Sequence, residues 1–198
     1  IIEDNGWIQT PQKSDIIDKD YNVWDDVFLD GLDLHQNFKR QNHYGPILFR
    51  ISLEILNHES FSKVYVTRDN PVNWNKNQSL EEQYYSNISD IATDYRAGNK
   101  VKDGQIIFTF KNVGKGVELG KFCNDIIIDN PHILSIDKTK SLGFITANRI
   151  KEELAKNNLS HIPISMRHKD TIASCWCGTN YTEMRIFNRR KLGILFDI

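Results

Sequence analysis

Apolar and polar positions along this chain change period several times, and each change predicts an element. The β-branched and aromatic runs at residues 47–51 and 63–67 predict strands, with a short helix expected around residues 53–57 between them and a turn at Asp69-Asn70-Pro71. From residue 79 to 96 the pattern becomes helical. Tyr84, Ile88, Ile91 and Tyr95 recur on one face, Ser79 and Glu82 form a capping-box pattern, and Gly98 supplies a stop. Residues 105–110 and 125–128 read as strands joined through a glycine-bearing stretch. Residues 145–157 form a second helix pattern, with Ala147, Ile150 and Leu154 on one face. Towards the C-terminus, residues 171–175, 182–187 and 192–196 read as strands separated by turns. Helices among mostly short strands predict an α+β fold, a single compact domain with a split or curved sheet and two main helices.

Residues 36–198 form the body of that expected domain, and residues 1–35 form an acidic lead segment. Trp7, Ile16, Ile17, Trp24, Val27, Phe28, Leu29 and Leu32 make the lead too apolar for a free tail, so it is expected to pack on the body. Composition agrees with a globular chain: 198 residues, 39% hydrophobic and 26% charged. A formal net charge of -1 argues at first against a phosphate-bearing partner. Resolved along the chain, it does not. Residues 1–35 carry nine acids against two bases, whereas residues 138–198 carry eleven bases against five acids. A basic C-terminal third can hold nucleic-acid or dinucleotide phosphates; the alternative is a solvated face that the acidic lead covers.

No apolar run is long enough to span a bilayer and no secretory signal pattern is visible, so a cytoplasmic location without membrane attachment is expected. Three cysteines, an odd number, suggest a reducing compartment. His168 with Cys175 and Cys177 invites a zinc reading. Cys-x-Cys is not the usual two-residue-spaced knuckle, however, and Cys123 is the one further thiol, so ordinary core or strand cysteines and no metal are expected.

The chemistry-bearing candidates are few. Glu183 sits in the strand-like run YTEMRIF, where Glu183, Arg185 and Phe187 would share a face. Either it pairs with Arg185 on a wet face, or it is a fixed carboxylate that stabilises a developing oxocarbenium ion. Arg50, inside an apolar run, must snorkel or meet an anion. Trp74 either stacks on a nicotinamide or base, or packs on the core. Arg167 and His168, ahead of the strand expected at 171–175, offer phosphate contacts or belong to a solvated loop. There is no Walker loop, Rossmann glycine fingerprint or nucleophile elbow.

The order of three features, His43-Tyr44-Gly45 leading into a strand, KVYVTRDN at residues 63–70 and the late YTEMRIF, resembles bacterial ADP-ribosyltransferase toxins, particularly the DarT-like toxins of phage-defence and toxin-antitoxin systems. The resemblance implies a transferase that consumes NAD and modifies nucleic acid or protein. It implies Glu183 as the catalytic acid on a late strand, His43 or Arg50 as the first-strand NAD contact and Tyr65 or Arg68 as the second. Tyr181 stands where an arginine-directed enzyme has a second Glu or Gln, which leaves a nucleobase or other target. Arg167, His168, Arg189 and Arg190 would then carry the acceptor's phosphates, and an antitoxin or chaperone is a further expected partner. Two alternatives remain at this point. One is a nuclease using His168, Lys169 and Asp170 or Asp137 and Lys138, and the other is a non-catalytic binding or antitoxin-like module.

Overall fold

The structure is a computed structural model that describes residues 7–8, 20–23, 25–33, 35, 45–96, 106–113, 116–135, 139–167 and 169–196. In chain order the strands are β1 (Trp7–Ile8), β2 (Val27–Asp30), β3 (Ile47–Ile51), β4 (Val64–Val66), β5 (Ile107–Phe110), β6 (Val117–Glu118), β7 (Cys123–Ile128) and β8 (Ile164–Met166). The α-helices are α1 (Leu80–Gln83), α2 (Ile88–Arg96), α3 (Leu119–Phe122), α4 (Leu142–Lys156), α5 (Lys169–Ser174), α6 (Trp176–Phe187) and α7 (Arg189–Leu195). Turns of 3-10 helix occupy Leu53–Asn57 and Pro71–Asn73. The fold is α+β, and the chain divides into two compact units.

The first unit takes in Trp7–Leu32 and Leu53–Val117. Its sheet has the order β2-β5-β4, both pairings antiparallel, with Phe110 of the central strand opposite Val27 on one side and Val64 on the other. Beside the sheet, Trp74 and Tyr84 meet edge to face at 5.3 Å, and Tyr21 closes the cluster by donating its hydroxyl hydrogen to the Trp74 carbonyl at 2.6 Å. Asp26, buried at the start of β2, accepts the Asn112 N–H at 2.9 Å and faces Lys111 at 3.2 Å. Asp26 and β2 fall within residues 1–35, so part of the acidic lead is built into this sheet.

The capping box at Ser79 and Glu82 is present, but the single helix expected over 79–96 is broken. Tyr84 is drawn into the aromatic cluster, and its extended backbone bridges Thr67 while Tyr85 N–H donates to Val66 O at 3.0 Å. Sheet pairing and burial of Tyr84 outweigh helical continuity here. The helix then restarts where Asn87 Oδ1 accepts the Asp90 N–H at 2.9 Å.

The second unit takes in Asp33–Ser52 and Glu118–Ile198. Its sheet has the order β3-β7-β8. β3 runs antiparallel to β7, and β7 runs parallel to β8 with α4 as the crossover. The apolar face expected for α4 is buried, Ala147, Ile150 and Leu154 all lying in the core. β8 is a strand that the hydrophobic pattern leaves unmarked. Gly143 lets α4 start close to the end of β7, since a Cβ there would stand 2.7 Å from the Asp129 carbonyl.

The three C-terminal strands expected at residues 171–175, 182–187 and 192–196 are helices α5, α6 and α7. The buried positions explain it: Cys177 and Tyr181, with Met184 packed behind them, follow the i, i+4, i+7 spacing of a helix. Ile186, which strand alternation groups with Met184, is 65% exposed. Side-chain caps fix both helix starts. Cys175 Sγ accepts the Cys177 N–H, and Asn188 Oδ1 accepts the Lys191 N–H at 3.0 Å. Among the described residues no helix is long and apolar enough to cross a membrane.

Candidate functional site

In sheets with parallel strands, reactive and binding groups collect where the strands end. Two charged residues stand at that edge of the second unit. Asp129 follows β7 directly and Arg167 follows β8 directly, and because these strands run parallel the two side chains emerge side by side. Arg167 Nε donates to Asp129 Oδ1 at 2.8 Å, and its Nη1 donates to Asp33 Oδ2. The other oxygen of Asp129 accepts the Tyr181 hydroxyl hydrogen at 2.6 Å, from the middle of α6. His35 completes the cluster: its Nε2 lies 3.6 Å from Asp129 Oδ2 and its Nδ1 3.4 Å from Cys175 Sγ. Cys177, on the first turn of α6, is buried beside them.

All these groups except Asp33 are less than a tenth exposed, so their electrostatics are those of an interior. Burial lowers the His35 pKa below its ordinary value against the opposing pull of Asp129, which favours the neutral ring. Tyr181 is raised far above its ordinary value, first by burial and then by the charge of Asp129 and the hydrogen bond to it, so it is a donor and not a phenolate. For Arg167, burial opposes the charge, but the hydrogen bond and charge of Asp33 and the charge of Asp129 outweigh it and raise the pKa. Breaking one partner out of such a network is costly, because the others are left buried without their counter-charge.

Next to this cluster opens a cleft of about 500 Å³. Asn130, Pro131 and His132, the residues that follow Asp129, line one part of it, and Gly178, Thr179, Thr182 and Glu183 of α6 line the other. Glu183 and His132 are exposed, so the cleft offers one carboxylate and one imidazole to solvent. The turn of α6 that carries Glu183 is held from below by the Tyr181–Asp129 hydrogen bond. Gly178 permits the close approach of α5, since a Cβ at that position would lie 2.6 Å from the Ile172 carbonyl.

The residues expected to carry function are distributed unevenly over this site. Glu183 lies at the cleft, but on a helix and not on a late strand. Arg167 is no nucleic-acid contact: it is 8% exposed and committed to Asp129 and Asp33. Arg50 does meet an anion, but an internal one, pairing with Asp125 directly across from it on β7. Tyr65 and Arg68 belong to the first unit. Tyr65 packs on Tyr84 at 5.1 Å, and Arg68 Nε donates to the carbonyls of Glu81 and Tyr84 at 2.8 and 3.2 Å. Trp74, the candidate stacking ring, is a core residue 7% exposed. Arg189 and Arg190 are exposed at the start of α7. His43 and His168 lie outside the described residues, as do Asp137 and Lys138. Cys123 is half-buried in β7, and burial pushes its thiol up to about 11, so it is unreactive at neutral pH.

No protein-family model matches the chain, and neither a curated protein nor a solved structure does. The site therefore has to be read from its own chemistry. Sequence reasoning missed His35, Asp129, Asp33 and His132. Asp129-Asn130-Pro131 directly after the run Ile126–Ile128 was a usable signal, because an acid at the end of a buried strand is where a parallel sheet places its site. Nothing local marked His35.

Proposed function

We propose that this protein is an NAD-consuming ADP-ribosyltransferase acting on nucleic acid, with Glu183 as the catalytic carboxylate. The observation that carries the reading is Glu183 itself: a solvent-facing carboxylate on the wall of a cleft whose volume falls within the range of small-molecule sites. The chemistry asks for one fixed negative charge beside the ribose, and a helix supplies it as well as a strand does. Tyr181, two residues earlier and buried against Asp129, keeps that turn of α6 in place. As the bond between C1′ and the nicotinamide nitrogen breaks, nicotinamide leaves with the bonding pair and positive charge develops on the ribose. Glu183 stabilises that charge, and an acceptor atom then bonds to C1′ and gives up its proton. Arg189 and Arg190, exposed on the helix that follows, are suited to holding the acceptor's phosphates.

A second reading is favoured by His132 on the same cleft. Imidazole and carboxylate together are a general acid–base pair for phosphodiester cleavage without NAD. Labelled NAD offered with DNA, RNA and protein separates the two. Transfer of label that depends on NAD supports the first, and shortened nucleic acid without NAD supports the second. Glu183→Gln should reduce nicotinamide release by at least about a hundredfold while leaving the circular dichroism spectrum and melting temperature unchanged. Release at the parental rate from the folded variant rejects Glu183 as the catalytic carboxylate.

A further inference from the structure

The buried face of the cluster does something that the cleft chemistry does not use. His35, Cys175 and Cys177 each present one donor atom, and these three atoms lie within 4.8 Å of one another. We propose that they hold a zinc ion, or a comparable soft divalent cation. Two thiolates and one neutral imidazole are the donors that such ions select over oxygen-seeking calcium or magnesium.

The distances fit. Tetrahedral zinc, with bonds of about 2.3 Å to sulfur and 2.0–2.1 Å to nitrogen, sets neighbouring donors roughly 3.4–3.8 Å apart, and Cys175 Sγ already stands 3.4 Å from His35 Nδ1. The ring is oriented for ligation as well: Nδ1 faces the sulfur, and Nε2 faces Asp129 at 3.6 Å, the carboxylate–histidine arrangement that fixes a metal-ligating imidazole. Asp129 is in turn held by Arg167 and Tyr181, so the supporting groups are themselves fixed. Cys175 caps α6 and Cys177 lies on its first turn, which brings both sulfurs to one end of the helix despite their unusual spacing.

Asp129, His35 and Cys175 also have the order of an Asp–His–Cys relay with Cys175 as nucleophile. Burial decides against it: Cys175 is 2% exposed, and a nucleophile has to reach a substrate, whereas a structural metal is enclosed during folding. Binding displaces one proton from each thiol to solvent. The ion and its two thiolates then sum to zero charge, which removes the penalty of burying either alone. Among the described residues three donors are in place, and the fourth position of the tetrahedron takes water or another ligand.

The test uses the full-length protein and reads metal, not activity. Purified from zinc-supplemented growth, it should contain about one zinc per chain by elemental analysis. Refolded with cobalt(II), it should show thiolate-to-cobalt charge-transfer absorption. Cys175→Ser, Cys177→Ser and His35→Gln should each reduce the stoichiometry or the charge-transfer band, and Cys123→Ser should alter neither. Asp129→Asn should weaken affinity by about 10–100-fold in a chelator competition. A zinc-free wild-type protein with no cobalt charge-transfer band overturns the proposal without recourse to any variant. Loss of metal in Cys123→Ser with retention in Cys175→Ser overturns the assignment of the ligands.

Discussion

Asp129 is the residue on which the second unit turns. It is 1% exposed and holds Arg167 with one oxygen and Tyr181 with the other, so three elements that are remote in the chain meet at one carboxylate. Asp129→Ala removes the Arg167 partner on that side and leaves the Tyr181 hydroxyl without its acceptor. The expected loss is about 3–5 kcal/mol, read as a fall in the urea midpoint. Tyr181→Phe deletes one hydrogen bond to a charged acceptor and should cost less, about 1.5–3 kcal/mol. A double variant no less stable than Asp129→Ala alone would show the two groups acting as one network; strict additivity would show them independent. The end of the run at Asp129 was a usable signal, but its partners were not legible in the sequence, where Asp33, His35, Arg167 and Tyr181 are scattered from one end to the other. Glu183 was legible as a candidate because it interrupts an apolar run, although the element beneath it was misread.

Among the elements, the pattern worked where a β-branched or aromatic run pairs in a sheet, and failed where Thr, Ile and Phe sit on helices. β3, β4, β5 and β7 correspond to runs visible in the sequence, and α4 to its apolar face. Helices α5 to α7 do not, because residues such as Ile186 and Phe187 mimic strand composition while lying on the solvent side. Tertiary packing of Tyr181, Leu192 and Phe196 overrode propensity there, just as burial of Tyr84 broke the helix expected over 79–96. The glycines that let helices approach make this testable. A Cβ on Gly178 or Gly143 would meet backbone oxygens at 2.6 and 2.7 Å, so Gly178→Ala and Gly143→Ala should each lower stability by about 1–3 kcal/mol by forcing α6 from α5 or α4 from the end of β7. Thermal unfolding measures it, and an unchanged melting temperature in either variant would show that the backbones relax freely.

For the molecule as a whole, part of the acidic segment is matched by local pairs. Asp20 faces Lys76 at 2.8 Å and Asp26 faces Lys111 at 3.2 Å within the first unit, while Asp33 pairs with Arg167 within the second. These acids of residues 1–35 are structural counter-charges. Deleting residues 1–35 takes away β2, Asp26, Asp33 and His35 together, so the expected outcome is loss of cooperative unfolding and not a gain in activity or nucleic-acid affinity. A deletion variant that melts like the parent would show the segment to be dispensable. The proposed cleavage of NAD by Glu183 in the cleft beside Asp129 is read out by nicotinamide release from labelled NAD in the presence of nucleic acid, wild type against Glu183→Gln. The wild type is expected to transfer label in an NAD-dependent way, and a variant that still folds is expected to lose that transfer. Equal release from both proteins, or none from either, would contradict it.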